Sequence, residues 1–144
     1  MTYEYLTFAV AHRPSPKGSM RFLGRGRVKD QLKGTKPFGD AVTVAATKAV
    51  ASHRKSADFP IVKPGRVVVN LSFVFPRPKS TPKGHPPVTR STGDVDKLCR
   101  NVLDALTAAG VMQDDSQVTT LVASKQYCND SPDGYAYVSV RWKS

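Results

Sequence analysis

The sequence predicts an α+β fold: a single domain over residues 1–144, with a mixed four-stranded sheet and two main helices in the order β-α-β-α-β-β. Three observations carry this. The chain has 144 residues, the length of one domain and large enough to bury about 68% of its unfolded surface, and its 40% hydrophobic residues fit a packed core. Four stretches alternate with period two, as strands do, and two others repeat apolar residues at helical spacing. No stretch approaches the ~20 apolar residues of a bilayer span, and the N-terminus lacks a charged-then-apolar leader, so neither a membrane segment nor a signal peptide is expected.

Thr2 to Ala11 reads as the first strand, with Tyr3, Tyr5, Thr7 and Ala9 on one face and Leu6, Phe8 and Val10 on the other. Residues 13–37 read as a long flexible basic segment, broken by prolines and glycines from Pro14 to Pro37; a loop of that length points to a functional role. Phe38 to Ala57 reads as a helix, with Asp40 as its cap and Val42, Ala45, Ala46, Ala49 and Val50 at helical spacing. Arg66 to Phe75 is the clearest strand, apolar on parts of both faces and therefore expected at the centre of the sheet. Pro76 to Arg90 is a second Pro-rich basic loop. A second helix opens at Asp94, runs to about Ala109 and stops at Gly110. Val118 to Cys128 reads as a strand, residues 129–134 as a turn, and Tyr135 to Trp142 as a strand pairing back as a hairpin.

Charge is unevenly placed. Residues 1–93 hold 17 Lys/Arg against 4 Asp/Glu, and residues 94–144 hold 5 against 7, giving a net +11 in which the first part is strongly basic and the second slightly acidic. Such a basic surface attracts polyanions, and phosphates are contacted chiefly by Lys and Arg. The two basic segments supply the expected DNA-binding residues: Lys17, Arg21, Arg25, Arg27 and Lys29 from the first, and Arg77, Lys79 and Lys83 from the second, with Lys97 beside them. Cys99 and Cys128 have no metal-type spacing, so reduced thiols in a cytoplasmic protein are expected.

Five of the 11 acidic residues fall between positions 94 and 115: Asp94, Asp96, Asp104, Asp114 and Asp115. On a helical wheel Leu98, Val102, Ala105, Leu106 and Ala109 form the core face, while Asp96, Lys97, Arg100 and Asp104 form a separate charged stripe. Capping, the helix dipole and ordinary (i, i+4) pairing account for these charges taken alone. The second pair, Asp114-Asp115, shifts the balance. From Asp96 to Ala109 the helix rises about 20 Å, and six extended residues reach back about 20–22 Å, so Asp115 just regains the helix start; a shorter helix or the partner's Asp115 would relax that reach. Three converging carboxylates without His or Cys suit Mg²⁺, or Mn²⁺, with Arg100 and Lys97 available to offset charge on a phosphate in reaction.

The run Gly93-Asp94-Val95-Asp96-Lys97-Leu98-Cys99-Arg100-Asn101-Val102-Leu103-Asp104-Ala105-Leu106, followed by Gly110-Val111-Met112-Gln113-Asp114-Asp115-Ser116-Gln117-Val118, resembles the signature of RusA-type Holliday-junction resolvases. The element order and the Pro16-Lys17-Gly18-x-x-Arg21 segment agree more loosely. The resemblance implies that Asp94, Asp96 and Asp115 are the metal-binding catalytic aspartates, with Asp114 their acidic neighbour. Lys97 stands where the family usually has Asn, and Arg100 where it usually has the catalytic Lys; an Arg does not deprotonate, which leaves it charge stabilisation. The resemblance also implies a Mg²⁺-dependent homodimer that resolves four-way DNA junctions by paired symmetric nicks in recombination and repair.

Two other readings stay open from the residues themselves: a non-catalytic basic DNA- or RNA-binding protein, and a nuclease of similar chemistry acting on RNA or flaps. The carboxylates discriminate against a pure binder, because bare Asp beside a phosphate repels it. His12, His53 and His85 are expected at the surface, and Tyr3, Tyr5, Tyr135, Tyr137 and Trp142 in sheet packing. Phe22, between Arg21 and Arg25, is a candidate wedge at a junction centre. Cys99, Leu103, Val111 and Met112 offer either a self-complementary patch or packing under the sheet.

Overall fold

A computed structural model describes residues 3–17, 20–22, 28–30, 35–53 and 64–143. The elements are β1 (Tyr3–Val10), a small hairpin β2 (Met20–Phe22) and β3 (Val28–Asp30), α1 (Thr35–His53), β4 (Val67–Pro76), α2 (Val95–Ala108), β5 (Val118–Cys128) and β6 (Tyr135–Lys143). The main sheet has the order β1-β6-β4-β5. It is mixed, as expected: β6 runs antiparallel to both β1 and β4, while β5 runs parallel to β4.

The central place of β4 follows from its residues. Val67, Val69, Leu71, Phe73 and Phe75 all lie in the core, and Val68 and Val74 on the opposite face are buried as well. The helix-facing row of the sheet meets Phe38, Val42, Ala46 and Val50 of α1 and Leu98, Val102, Ala105 and Leu106 of α2 in one core. The other face carries no helix among the described residues and exposes Tyr3, Tyr5, Asn70, Val122 and Tyr137. Trp142 packs inward, its indole N–H donating to Glu4 Oε2 at 3.1 Å and its ring meeting His53 edge-on.

The structure corrects three local expectations and decides a fourth between its two alternatives. β5 and β6 do not form a hairpin. The unit β4-α2-β5 is a parallel crossover, in which the helix returns the chain so that β5 repeats the direction of β4. The turn after β5 then crosses the end of β4: Val74 pairs with Gln126 on one side and with Tyr135 on the other. Gly134 sits at this crossing, at φ 74° and packed against the Val74 carbonyl where a Cβ would collide.

Second, α1 begins at Thr35, so Asp40 is inside the helix, paired with Lys36 at 3.0 Å, and is not its cap. Pro37 is tolerated in the first turn, where its missing N–H costs nothing, although sequence reading treats it as a breaker. Third, residues 13–37 are not one continuous loop, since Arg21 pairs with Lys29 in the β2–β3 hairpin. Fourth, Cys99, Val111 and Met112 are buried in the core and Leu103 packs against it, so they form no self-complementary surface. The cause lies at the end of α2. Gly110 N–H donates to Thr107 O at 3.1 Å and Val111 N–H to Leu106 O at 3.0 Å, a Schellman turn that folds Val111 back under its own helix.

Both cysteines are free thiols, and burial, with the Asp96 charge second, pushes Cys99 up to about 11. Among the described residues no helix is long and apolar enough to cross a membrane.

Candidate active site

The acidic site is built at the N-terminus of α2. Asp94 occupies the N-cap position with extended geometry (φ −79°, ψ 135°), and its carbonyl accepts the first helical bond from Leu98 N–H at 3.0 Å. Its side chain makes no capping hydrogen bond. An Asp at this position ordinarily caps, a contact worth about 1 kcal/mol. Here the carboxylate points outward, with Lys97 Nζ 3.8 Å away. Asp96 follows in the first turn, exposed on the charged stripe with Arg100. The helix therefore presents two carboxylates that its own N-terminus does not consume.

The approach to Asp94 is fixed from three sides. Gly93 has φ 82°, and a Cβ on it would lie 2.5 Å from Pro16 Cγ. Residues 13–17 cross over the start of α2: Arg13 Nη2 donates to Ser91 O at 3.2 Å, Asn101 Nδ2 to Ser15 O at 2.9 Å, and Lys17 N–H to Lys97 O at 2.9 Å. Lys17 Nζ then pairs with Asp104 at 3.4 Å. From β5, Lys125 Nζ donates to Gly93 O at 2.7 Å and Thr92 Oγ1 at 3.2 Å. Gly93→Ala should therefore lose at least about 1 kcal/mol to the left-handed backbone alone. It should also displace Pro16, so a lower melting temperature and weaker cleavage are expected together; an unchanged melting curve would contradict this packing.

The second acidic pair lies at the other end of α2. Asp115 Oδ1 accepts from Thr107 Oγ1 at 2.6 Å. Thr107 is eleven residues beyond Asp96, which places Asp115 about 17 Å along the helix from the first pair. The reach back expected within one chain is not realised, because the Schellman turn spends residues 109–112 under the helix before Asp115 is reached. Asp114 is committed to structure. It caps the short 3₁₀ turn Asp115–Gln117 by accepting from Ser116 N–H at 2.9 Å, with Gln117 closing a capping box. These bonds to Ser116 hold the Asp114 carboxyl below the usual carboxylate range. Among the described residues, no three His, Cys, Asp or Glu side chains gather as a metal-holding group.

Of the expected DNA-binding residues, Lys79 and Lys83 are exposed in the loop that leads into Asp94. Arg77 is tied inward, with Nε to Asn129 Oδ1 at 3.2 Å, Nη1 to Pro82 O at 2.9 Å and its guanidinium over the Tyr127 ring. Arg21 and Lys29 are backbone partners in the β2–β3 register. Arg25 and Arg27 lie outside the described residues, as does the Phe22 ring. His12 packs against Phe38 and His53 against Trp142, while His85 is exposed.

Sequence reasoning missed Lys125, Asn101 and Arg13. Asn101 borders the core arc of α2 and is 5% exposed, a buried polar residue that needs a hydrogen-bond partner and finds one in Ser15 O. Lys125 lies in the helix-facing row of β5 with Leu121, Ala123 and Tyr127; a lysine in such a row is the only signal the sequence offers.

A parallel crossover whose helix starts on two exposed carboxylates, flanked by basic segments, has the parts of a phosphodiester-cleaving domain. The family model described as Endodeoxyribonuclease RusA matches residues 14–140, and the chain belongs to that family. It is an endonuclease that hydrolyses phosphodiester bonds of DNA, of the kind that resolves Holliday junctions in recombination. None of the curated proteins matches the chain.

Proposed function

We propose that this protein is a Mg²⁺-dependent homodimeric resolvase that cuts four-way junctions by paired symmetric nicks in DNA recombination and repair. In each active site, Asp94 and Asp96 of one subunit act with the partner's Asp115. The observation that carries the reading is Asp94, an N-cap aspartate whose carboxylate forgoes the cap, with Asp96 in the first turn of the same helix. Mg²⁺ retains several waters and is held by one or two carboxylates plus substrate phosphates, so this pair fits it. When bound, such an ion supplies an activated water and offsets charge on the scissile phosphate. Arg100 and Lys97, on the same stripe, would bind and orient that phosphate. Mn²⁺ suits the same donors.

The homodimer reading rests on the separation of the two acidic ends. Within one chain Asp115 is a helix length from Asp94; beside an antiparallel second copy, the C-terminal end of one α2 meets the N-terminal start of the other. β5 is an edge strand exposing Leu121 and Val122, and an edge of this kind pairs readily with its own copy. A junction with two-fold symmetry then meets two sites related by the same operator.

The decisive experiment incubates a labelled four-way junction and a matched linear duplex with the protein, in Mg²⁺ and in EDTA. Symmetric nicks in the junction alone, only with Mg²⁺, are expected; equal cutting of the linear duplex would replace junction resolution with a less selective nuclease. Binding is assigned to the basic segments. Arg21, Arg25 and Arg27 all changed to Ala should weaken binding to every DNA and flatten the salt dependence by about one unit of slope per lost phosphate contact. An unchanged slope in a salt titration would move binding elsewhere.

A further inference from the structure

We infer that Lys125 is a positioning residue for Asp94, and that it acts by holding the carbonyl of Gly93 so that the Asp94 carboxylate stays off the helix cap. The inference rests on the reading of Asp94 as a metal ligand. Lys125 projects from the helix-facing row of β5, opposite Phe73 of β4. Its stem is partly buried and its ammonium reaches two acceptors in the turn before α2: Gly93 O at 2.7 Å and Thr92 Oγ1 at 3.2 Å. Thr92 is 2% exposed, and its hydroxyl stands within hydrogen-bond distance of Thr89 O (2.9 Å) and Pro87 O (3.1 Å). One ammonium therefore ties edge strand β5, the end of the basic loop 77–93 and the residue before Asp94 into one unit.

The Gly93 carbonyl precedes the N-cap, so no helical N–H accounts for it, and a cation is the strongest donor it can be given. With this carbonyl held and Gly93 locked at φ 82° against Pro16, the backbone of Asp94 enters the helix at one fixed angle. An Asp released from that angle has an alternative: to accept from the free N–H groups of the first turn, as N-cap aspartates do. Lys125 thus favours the outward carboxylate over the capped one. The same strand begins just after Asp115, so β5 bears on both acidic ends: directly on the first through Lys125, and on the second through the turn Asp115–Gln117.

The test compares wild type, Lys125→Met, Lys125→Gln, Lys125→Arg and Asp94→Asn by Mn²⁺ binding, read from the loss of the free-ion electron paramagnetic resonance signal. Thermal melting and metal-free junction binding are measured on the same samples. The expected result is a tenfold or greater loss of Mn²⁺ affinity in Lys125→Met, partial recovery in Lys125→Arg, and junction binding in EDTA within about twofold of wild type. A merely structural role would lower the melting temperature and junction binding together and leave Mn²⁺ affinity per folded molecule unchanged, which overturns the inference. Should Lys125→Met not fold, Lys125→Gln, which keeps N–H donors without the charge, is read against the same criteria. Asp94→Asn separates the two claims. If it binds Mn²⁺ like wild type, the reading of Asp94 fails and the inference falls with it. If Asp94→Asn loses the ion and the folded Lys125 variants do not, only the inference fails.

Discussion

Asp94→Asn and Asp96→Asn are each expected to cut junction cleavage by on the order of a thousandfold or more, since each removes a charged oxygen donor from the metal pair. Fold and metal-free junction binding should persist. Both side chains are exposed, and the Asp94 carboxylate contributes no cap, so the helix loses no hydrogen bond when it becomes an amide. The contacts that fix the neighbouring backbone, from Lys125 to Gly93 O and from Lys17 to Lys97 O, involve neither carboxylate. A gel-shift titration in EDTA beside a single-turnover cleavage assay in Mg²⁺ separates the two effects. Near-normal cleavage by either variant would remove the α2 N-terminus from the chemistry.

Asp115→Asn should be as damaging to cleavage, although in its own chain the residue is bonded to Thr107, about 17 Å along α2 from Asp96. The substitution is gentle to the fold. An amide oxygen still accepts the hydrogen bond from Thr107 Oγ1, which in the wild type is 2.6 Å from Asp115 Oδ1. Asp114, which caps the following turn, is untouched. A melting temperature within a few degrees of wild type together with lost cleavage would assign the carboxylate to the reaction. Asp114→Ala makes the contrast: it removes the side-chain acceptor for Ser116 N–H and breaks a capping box, so its effect should fall on stability before activity.

Much of this architecture is legible in the residues. The alternation of Val67 to Phe75 marks a central strand, and the stripe Leu98, Val102, Ala105, Leu106 predicts the buried face of α2; both are observed. The end of that helix at Gly110 also follows from the sequence. Pairing is harder to read. Val118–Cys128 and Tyr135–Lys143 are strands as expected, but nothing in their alternation says that β6 passes between β1 and β4. That choice is made by the crossover through α2, a non-local event. The small hairpin Met20–Phe22/Val28–Asp30 is hidden because Pro and Gly on both sides read as loop.

The site divides in the same way. Asp94 and Asp96 stand out as acidic residues in a basic chain, and they occupy the N-cap and the first turn of α2. The distance to Asp115 turns on how many residues the Schellman turn consumes, which chain-length arithmetic does not include. Lys125 escapes notice because its role depends on a contact with Gly93, 32 residues away in sequence.

The central claim is that each active site joins Asp94 and Asp96 of one subunit to the partner's Asp115, and subunit mixing tests it most directly. Asp94→Asn and Asp115→Asn chains are co-expressed with different tags and the mixed dimer is purified through both. In that dimer one site carries both changes and the other carries neither, so single-strand nicking of a four-way junction should return in Mg²⁺ while each variant alone stays inactive. A mixed dimer as inactive as its parents, beside an active wild-type dimer purified the same way, would contradict the account.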